Sequence, residues 1–329
     1  MRFLPDKFTM FLVGTVILAS ILPAHGDFAD WFDIATKIGV ALLFFMHGAK
    51  LSRQAVIAGM THWRLHLFVL ATTFVLFPLL GLMIGLLVPS ILTPALYAGI
   101  LFICVLPSTV QSSIAFTSMA GGNVAAAVCA ATMSNIVGMV LTPLLVGLMF
   151  AGHSSGGFSF DGQISIFTQL LAPFILGQLL QPWIGGFMAK RKKLLSIVDR
   201  GAILMVVYAA FSEAVIEGIW QTLSVSDFAV MIVTDMVLLA VVLALTTYGS
   251  RLLGFSREDE ITIVFCGSKK SLASGLPMAN VIFAGENIGS LVLPLIFFHQ
   301  IQLMVCAFIA RHYAATHEKY DKLKHAKAV

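Results

Sequence analysis

Two short runs concentrate the polar chemistry of this sequence. The first is Leu106-Pro107-Ser108-Thr109-Val110-Gln111-Ser112-Ser113. The second is Cys266-Gly267-Ser268-Lys269-Lys270-Ser271-Leu272-Ala273-Ser274-Gly275-Leu276-Pro277. Their functional groups are hydroxyls, one amide and two ammoniums. Such groups hold ions and small polar ligands through hydrogen bonds. Bond-breaking chemistry needs more: an activated nucleophile, an acid–base pair or a metal ligand set. The sequence has no His-Glu-x-x-His. Cys104, Cys129, Cys266 and Cys306 lie singly in apolar runs without metal or redox spacing. They read as packing residues, with neither a disulfide framework nor a zinc site.

The elements that position these runs follow from composition. The chain has 329 residues, 59% of them hydrophobic and 11% charged, and a mean hydropathy of +0.96. A soluble domain carries roughly 25% charged residues. This chain cannot cover a globule with polar surface, which excludes a soluble enzyme, a nucleic-acid binder and a disordered chain. A membrane-spanning helix needs about 20 mostly apolar residues. Ten stretches qualify, at 8–24, 32–49, 65–88, 94–118, 123–150, 163–189, 197–222, 227–253, 258–284 and 288–313. The expectation is an all-α polytopic protein, one transmembrane domain over 1–329. The first stretch has a rival reading as a cleaved signal peptide, since Arg2 and Lys7 precede it and Pro23-Ala24-His25-Gly26 ends it.

Charge placement orients the spans. With ten spans and a cytoplasmic N-terminus, 17 of the 20 Lys and Arg fall on the inside and none in the outer loops. Lys37, Lys269 and Lys270 fall within spans, and Asp27, Asp30, Asp161, Asp227 and Glu286 lie towards the outside. This positive-inside asymmetry predicts a cell (inner) membrane protein with both termini in the cytoplasm. Two halves of five spans must have opposite orientations, the inverted repeat of many secondary transporters. Gln111-Ser112-Ser113-Ile114-Ala115 resembles Lys269-Lys270-Ser271-Leu272-Ala273, at an offset of 158. Ala120-Gly121-Gly122-Asn123 resembles Ala284-Gly285-Glu286-Asn287, at 164. The predicted halves are about 1–157 and 158–329. The polar runs sit in the fourth span of each half. Proline removes a backbone donor there, and broken helices survive at membrane depth only inside protein or beside a wet cavity. Interruptions are expected at 107–113 and 267–277.

The Pro-Ser-Thr-x-x-Ser-Ser run from Pro107, the Ala-Gly-Gly-Asn turn from Ala120 and the Gly-Ser-Lys-Lys-Ser-Leu-Ala run from Gly267 resemble the bile acid:sodium symporter superfamily, in its bacterial SBF-like branch. The resemblance spans nearly the whole chain. It implies that helices 4 and 9 are broken and cross at the membrane centre. Helices 3–5 and 8–10 would form a core, and helices 1, 2, 6 and 7 a panel, with substrate between them and sodium behind the crossover. It places candidate binding residues at Ser108, Thr109, Gln111, Ser112, Ser113, Thr73, Thr132, Ser134, Ser268, Lys269, Lys270 and Ser271. The sequence departs from the sodium-using pattern. Thr73 replaces a Gln, Ser113 replaces an Asn, and the helix-five hydroxyl positions fall near Ala127 and Ala131, beside Thr132 and Ser134. Between Ile261 and Gly285 there is no Asp or Glu. Lys269 stands near the place of a sodium-ligating Gln, and is expected to supply the charge sodium would bring. Lys270 is expected to face the substrate or a carboxylate.

Asp235, about eight residues into the eighth span, is a further candidate, for carrying a proton or pairing with Lys269 or Lys270. Glu213 and Glu217 share a helix face and are expected to line an outer vestibule. Asp33 and Lys37 form an expected structural pair, and His47 is expected at the interface. His299 and Gln302 suggest a cavity wall or a helix–helix hydrogen bond. Half-helix N-termini suit an anionic group. The reading is a secondary transporter, symporter-like, of a small organic anion. It needs no cofactor, uses sodium or a proton as coupling ion, and works by alternating access. The alternatives are a cation- or proton-coupled antiporter-like carrier without sodium, a channel and a membrane scaffold. An enzyme and a nucleic-acid partner are not expected. The partners are the lipid bilayer and the substrate, and the oligomeric state is left open.

Overall fold

A computed structural model describes residues 7–50, 62–150, 170–216, 218, 221, 224–283 and 288–326. Twelve helices are described: α1 (Lys7–Ile21), α2 (Gly26–Lys50), α3 (Trp63–Leu87), α4 (Pro94–Val105), α5 (Gln111–Met119) and α6 (Val124–Phe150). They continue with α7 (Ala172–Lys190), α8 (Lys192–Ile216), α9 (Val225–Leu252), α10 (Arg257–Gly267), α11 (Leu272–Ile282) and α12 (Ile288–Ala326). The described residues contain no strand. Among the described residues, five helices are long and apolar enough to cross a membrane: α3, α6, Lys193–Ile216 of α8, α9, and Ile288–Thr316 of α12. Met10–Ile21 and α4 are shorter apolar helices. Phe11, Leu148, Trp183, Leu252 and Phe308 are each more than 60% exposed. An exterior of this kind suits lipid rather than water.

Local chemistry sets the helix ends. Ser224 and Asp227 close a capping box at the start of α9, satisfying two amides reciprocally. Ser256 caps α10. Glu258, Asp259 and Glu260 follow in the first turn, where the helix dipole favours negative charge. Gly121 turns the chain between α5 and α6 with φ 74°, a conformation that penalises any Cβ. At that end Glu260 accepts from Arg251 at 2.8 and 2.9 Å and from Tyr313 at 2.8 Å. This cluster ties α9, α10 and α12 together.

The helices pack as two groups. α1, α2, α7 and α8 contact one another, and α3–α6 contact α9–α12. Gly48 and Gly177 let α2 and α7 approach backbone to backbone, since a Cβ at either would meet the carbonyl of Phe174 or Phe45. The groups meet where α8 packs on α11 and α12.

The interruptions are narrower than expected. The first covers only 106–110, and Gln111 to Ser113 already belong to α5. The second covers only 268–271, and Pro277 lies inside α11. Pro107 ends its helix by forcing Leu106 into extended backbone, φ −75° and ψ 153°. α3 contains a π turn, Thr72–Leu76, that the apolar pattern conceals. Asp33 and Lys37 pair at 2.7 Å. The Gly/Ser-rich stretch 152–162, Glu217 and residues 284–287 of the second repeat match lie outside the described residues.

Candidate functional site

The two interruptions are bonded to each other, and each bond disposes of a backbone group that a broken helix leaves over. Ser108 Oγ donates to the Cys266 carbonyl at 2.5 Å and Ser113 Oγ to the Phe265 carbonyl at 2.9 Å. The Ser271 amide donates to the Pro107 carbonyl at 2.9 Å. α6 supplies the rest. Thr142 Oγ1 donates to the Val105 carbonyl at 2.8 Å, and Asn135 Nδ2 to the Ser108 carbonyl at 2.8 Å. The Ser108 amide donates to Ser134 Oγ at 3.0 Å. Ser271 caps α11 by accepting from the Ser274 amide, and Ser274 Oγ donates to Asn135 Oδ1 at 2.8 Å. Ser268 Oγ returns to the Val264 carbonyl at 2.6 Å. The polar runs are therefore a hydrogen-bonded crossing of four short helices, braced by α6.

Both lysines lie inside it, each 0% exposed. The Lys270 ammonium donates to the carbonyls of Thr73, Cys104 and Leu106 at 2.8, 2.9 and 2.7 Å, and stands 4.0 Å from the centre of the Phe77 ring. Gln302 clamps the Lys270 backbone from α12. Its Oε1 accepts from the Lys270 amide at 2.9 Å, and its Nε2 donates to the carbonyl at 2.8 Å. Gln302 Nε2 also lies 2.9 Å from His299 Nδ1. The Lys269 ammonium reaches Ser112 Oγ at 3.4 Å and sits over the Phe116 and Phe265 rings, 4.4 and 5.6 Å from their centres. An ammonium at mid-membrane costs about 2.5–3.5 kcal/mol. Hydrogen bonds to a charged group contribute roughly 1.5–3 kcal/mol each, so three of them offset that cost for Lys270. Lys269 relies on one long hydrogen bond and aromatic faces.

These contacts correct three expectations. Lys270 faces neither a carboxylate nor the cavity described below, because its stem points back into α3 and α4. Asp235 pairs with neither lysine: it is 0% exposed and neither oxygen has a hydrogen-bond partner. Its carboxyl and the Lys270 ammonium both lie within electrostatic reach of the Cys104 thiol. His47 is not merely interfacial, for it lines the cavity.

That cavity measures about 480 Å³ and lies between the two helix groups. The crossing presents to it the N-terminal ends of two half-helices. Thr109 of the first interruption lines it with Gln111 and Ser112 of α5, and Ser271, the cap of α11, with Ser274 of that helix. α6 adds Thr132 and Asn135, and α12 adds His299. The opposing wall holds Phe8 of α1, His47 of α2, Phe174 of α7, and Ser196, Asp199 and Arg200 of α8. Arg200 lies over the Phe8 ring at 5.5 Å. Of the expected residues, Ser108, Ser113, Ser134, Ser268, Thr73, Lys269, Lys270 and Asp235 stand behind this surface, all buried. Asn135, Ser196, Asp199 and Arg200 escaped the sequence reading, and Ser274 stood in the second polar run without being put forward as a candidate. Asn135 and Ser274 adjoin polar residues already singled out, but Arg200 was absorbed into the cytoplasmic charge count. Among the described residues no group of three or more His, Cys, Asp or Glu gathers as a metal site.

The sequence pattern of the SBF-like CPA transporter family matches residues 6–315. An uncharacterized protein of Pseudomonas aeruginosa is 58% identical over 313 residues, covering 95% of this chain and 94% of its own. The Escherichia coli K12 protein named "Putative symporter YfeH" is 53% identical over 323 residues, 98% of this chain and 97% of its own. The "Sodium/bile acid cotransporter 7-B" of Xenopus laevis is 31% identical over 319 residues, 92% of this chain and 90% of its own.

Proposed function

The chain belongs to the SBF-like CPA transporter family, and from that premise we propose that it is a secondary active transporter of a small organic anion. It is a multi-pass membrane protein of a transporter family. In our reading it crosses the membrane ten times as one domain, with inverted halves of about 1–157 and 158–329. Both termini lie in the cytoplasm of a cell whose inner membrane holds it. The charge asymmetry supports that orientation, and the described helices fall on the expected stretches.

One observation carries the substrate class. The cavity receives the N-termini of both α5 and α11, with Arg200 opposite and apolar Phe174, Ile203 and Met139 around them. Helix N-termini and a guanidinium attract a negative group, and apolar walls suit an organic body. Phe8, His47 and Arg200 lie beside the basic segments assigned to the cytoplasm, so this conformation is open inward. Transport follows from movement of α1, α2, α7 and α8 against the remaining helices, which exposes the crossing to the other side. Two buried ammoniums occupy the crossing, and that supports transport without sodium. A second reading, antiport against a cation or proton, draws on the unpartnered carboxyl of Asp235. Enzymatic activity is not part of this reading, since the family and the relatives are named for transport.

The test is uptake of a panel of labelled organic anions into proteoliposomes, with sodium and proton gradients imposed separately and choline replacing sodium. The proposal expects saturable uptake of at least one anion, unchanged by choline. A strict sodium requirement refutes the sodium-free reading, and uptake of cations alone refutes the substrate class.

A further inference from the structure

The three carbonyls around Lys270 are left over by the fold itself. In α3 the π turn commits the Phe77 amide to the Thr72 carbonyl. The next amide in that register, at position 78, belongs to proline and has no hydrogen. The Thr73 carbonyl is therefore without a helical donor. The Cys104 carbonyl would take the amide of Ser108, but that amide is spent on Ser134 Oγ at 3.0 Å. Leu106 is already extended, past the end of α4. Its carbonyl takes no backbone amide among the described residues. Three acceptors thus converge from two broken helices, at the end of α4 where the dipole is negative. The Phe77 ring closes a further side, and an aromatic face also favours a cation.

A pocket made of backbone carbonyls and a ring, with no carboxylate among its ligands, is the coordination chemistry of a monovalent cation. Carbonyl oxygens replace the hydration shell of such an ion in selectivity filters. We propose that this cage is a monovalent-cation site which the Lys270 ammonium fills as a tethered ion, and that free potassium or ammonium occupies it when the side chain is cut back. The distances of 2.7–2.9 Å suit an ion of ammonium size. A smaller ion has to draw two helices inward to reach all three oxygens. The tether holds the group in the cage, so occupancy of the site does not depend on which ions surround the cell. This inference stands on the cage geometry and does not depend on which anion is carried.

A lysine that merely caps a helix end makes a different prediction, because its removal leaves acceptors for water with no preference among salts. The experiment is thermal unfolding of the purified full-length protein, of Lys270→Ala and of Lys270→Met. Each is measured in choline, sodium, potassium and ammonium chloride at equal ionic strength. The unaltered protein is expected to unfold at one midpoint in all four. Lys270→Ala is expected to unfold several degrees lower in choline, and to regain most of that loss, saturably, in potassium or ammonium. Lys270→Met fills the cage with an uncharged chain and is expected to stay low in every salt. Should Lys270→Ala not fold in choline, the readout becomes the yield of monodisperse protein after extraction in each salt, which potassium or ammonium must restore. A Lys270→Ala protein that behaves alike in all four salts overturns the proposal. So does one that responds to sodium alone, or a Lys270→Met protein that gains as much as Lys270→Ala.

Discussion

Alanine at Gly289 probes the movement on which the transport reading depends. Gly289 lies in the first turn of α12, where α8 crosses it. A Cβ there would collide with the Cβ of Ala214 and come within 3.2 Å of the Ala210 carbonyl. Ordinary carbon contacts are about 3.5–4.0 Å, so Gly289→Ala forces the two helices apart. Overpacking of this kind costs roughly 1–3 kcal/mol. The cost falls only on the conformation in which α8 and α12 touch. If the proposed alternate conformation opens this seam, the methyl has room there. Since about 1.4 kcal/mol is a factor of ten, the substitution should shift the population towards the outward-open state by roughly 5- to 150-fold. The readout is a reporter thiol at position 210, a residue 1% exposed on the α8 side of the seam. Ala210→Cys, with and without Gly289→Ala, is labelled in spheroplasts with a membrane-impermeant maleimide. The four native cysteines supply the background, measured in the parent. Labelling is expected to accelerate by that factor with expression unchanged. An unchanged labelling rate in a folded protein would mean that the α8–α12 seam does not open during function.

Four other outcomes follow from named contacts. Thr142→Val removes the donor to the Val105 carbonyl and leaves a buried acceptor unpaired, so stability should fall by about 1–3 kcal/mol in chemical unfolding. Ser112→Ala and Ser271→Ala should express normally and slow uptake at least tenfold, because both residues line the cavity; unchanged uptake in both would remove the crossing from the site. Lys269→Gln loses the charge stacked on Phe116 and should alter uptake rate or its pH profile; uptake unchanged in both respects would reduce Lys269 to a packing residue. Asp235→Asn has no hydrogen bond to lose, so its melting midpoint should not fall, while proton-driven uptake should disappear if the antiport reading holds.

Much of this architecture was legible in the sequence because membrane insertion simplifies the code. Apolar length finds helices, and Pro107 and Gly267 mark where they stop. Ser108, Ser113 and Ser271 were identifiable because a polar run inside an apolar span demands partners. What those partners are was not legible. The carbonyls that cage Lys270 come from three positions, 73, 104 and 106, whose side chains say nothing about their backbone oxygens. The π turn in α3 leaves no trace in a pattern that is apolar on every face. The two alternatives left open at Asp235, a proton carrier or a partner for a lysine, could not be separated by sequence, since sequence gives depth but not rotation about the helix axis. Arg200 and His47 were hidden for another reason: a residue beside a basic cytoplasmic segment reads as interface until a cavity is seen to reach it.

The most direct measurement is counterflow in proteoliposomes, using the best-transported anion of the panel in sodium-free buffer. Vesicles are loaded with unlabelled anion and diluted into a trace of labelled anion. A carrier with one alternately exposed cavity predicts transient accumulation of label above the outside concentration. The overshoot should be absent from empty liposomes and strongly reduced by Ser112→Ala. Label that equilibrates without overshoot, or that does not enter at all, contradicts the account.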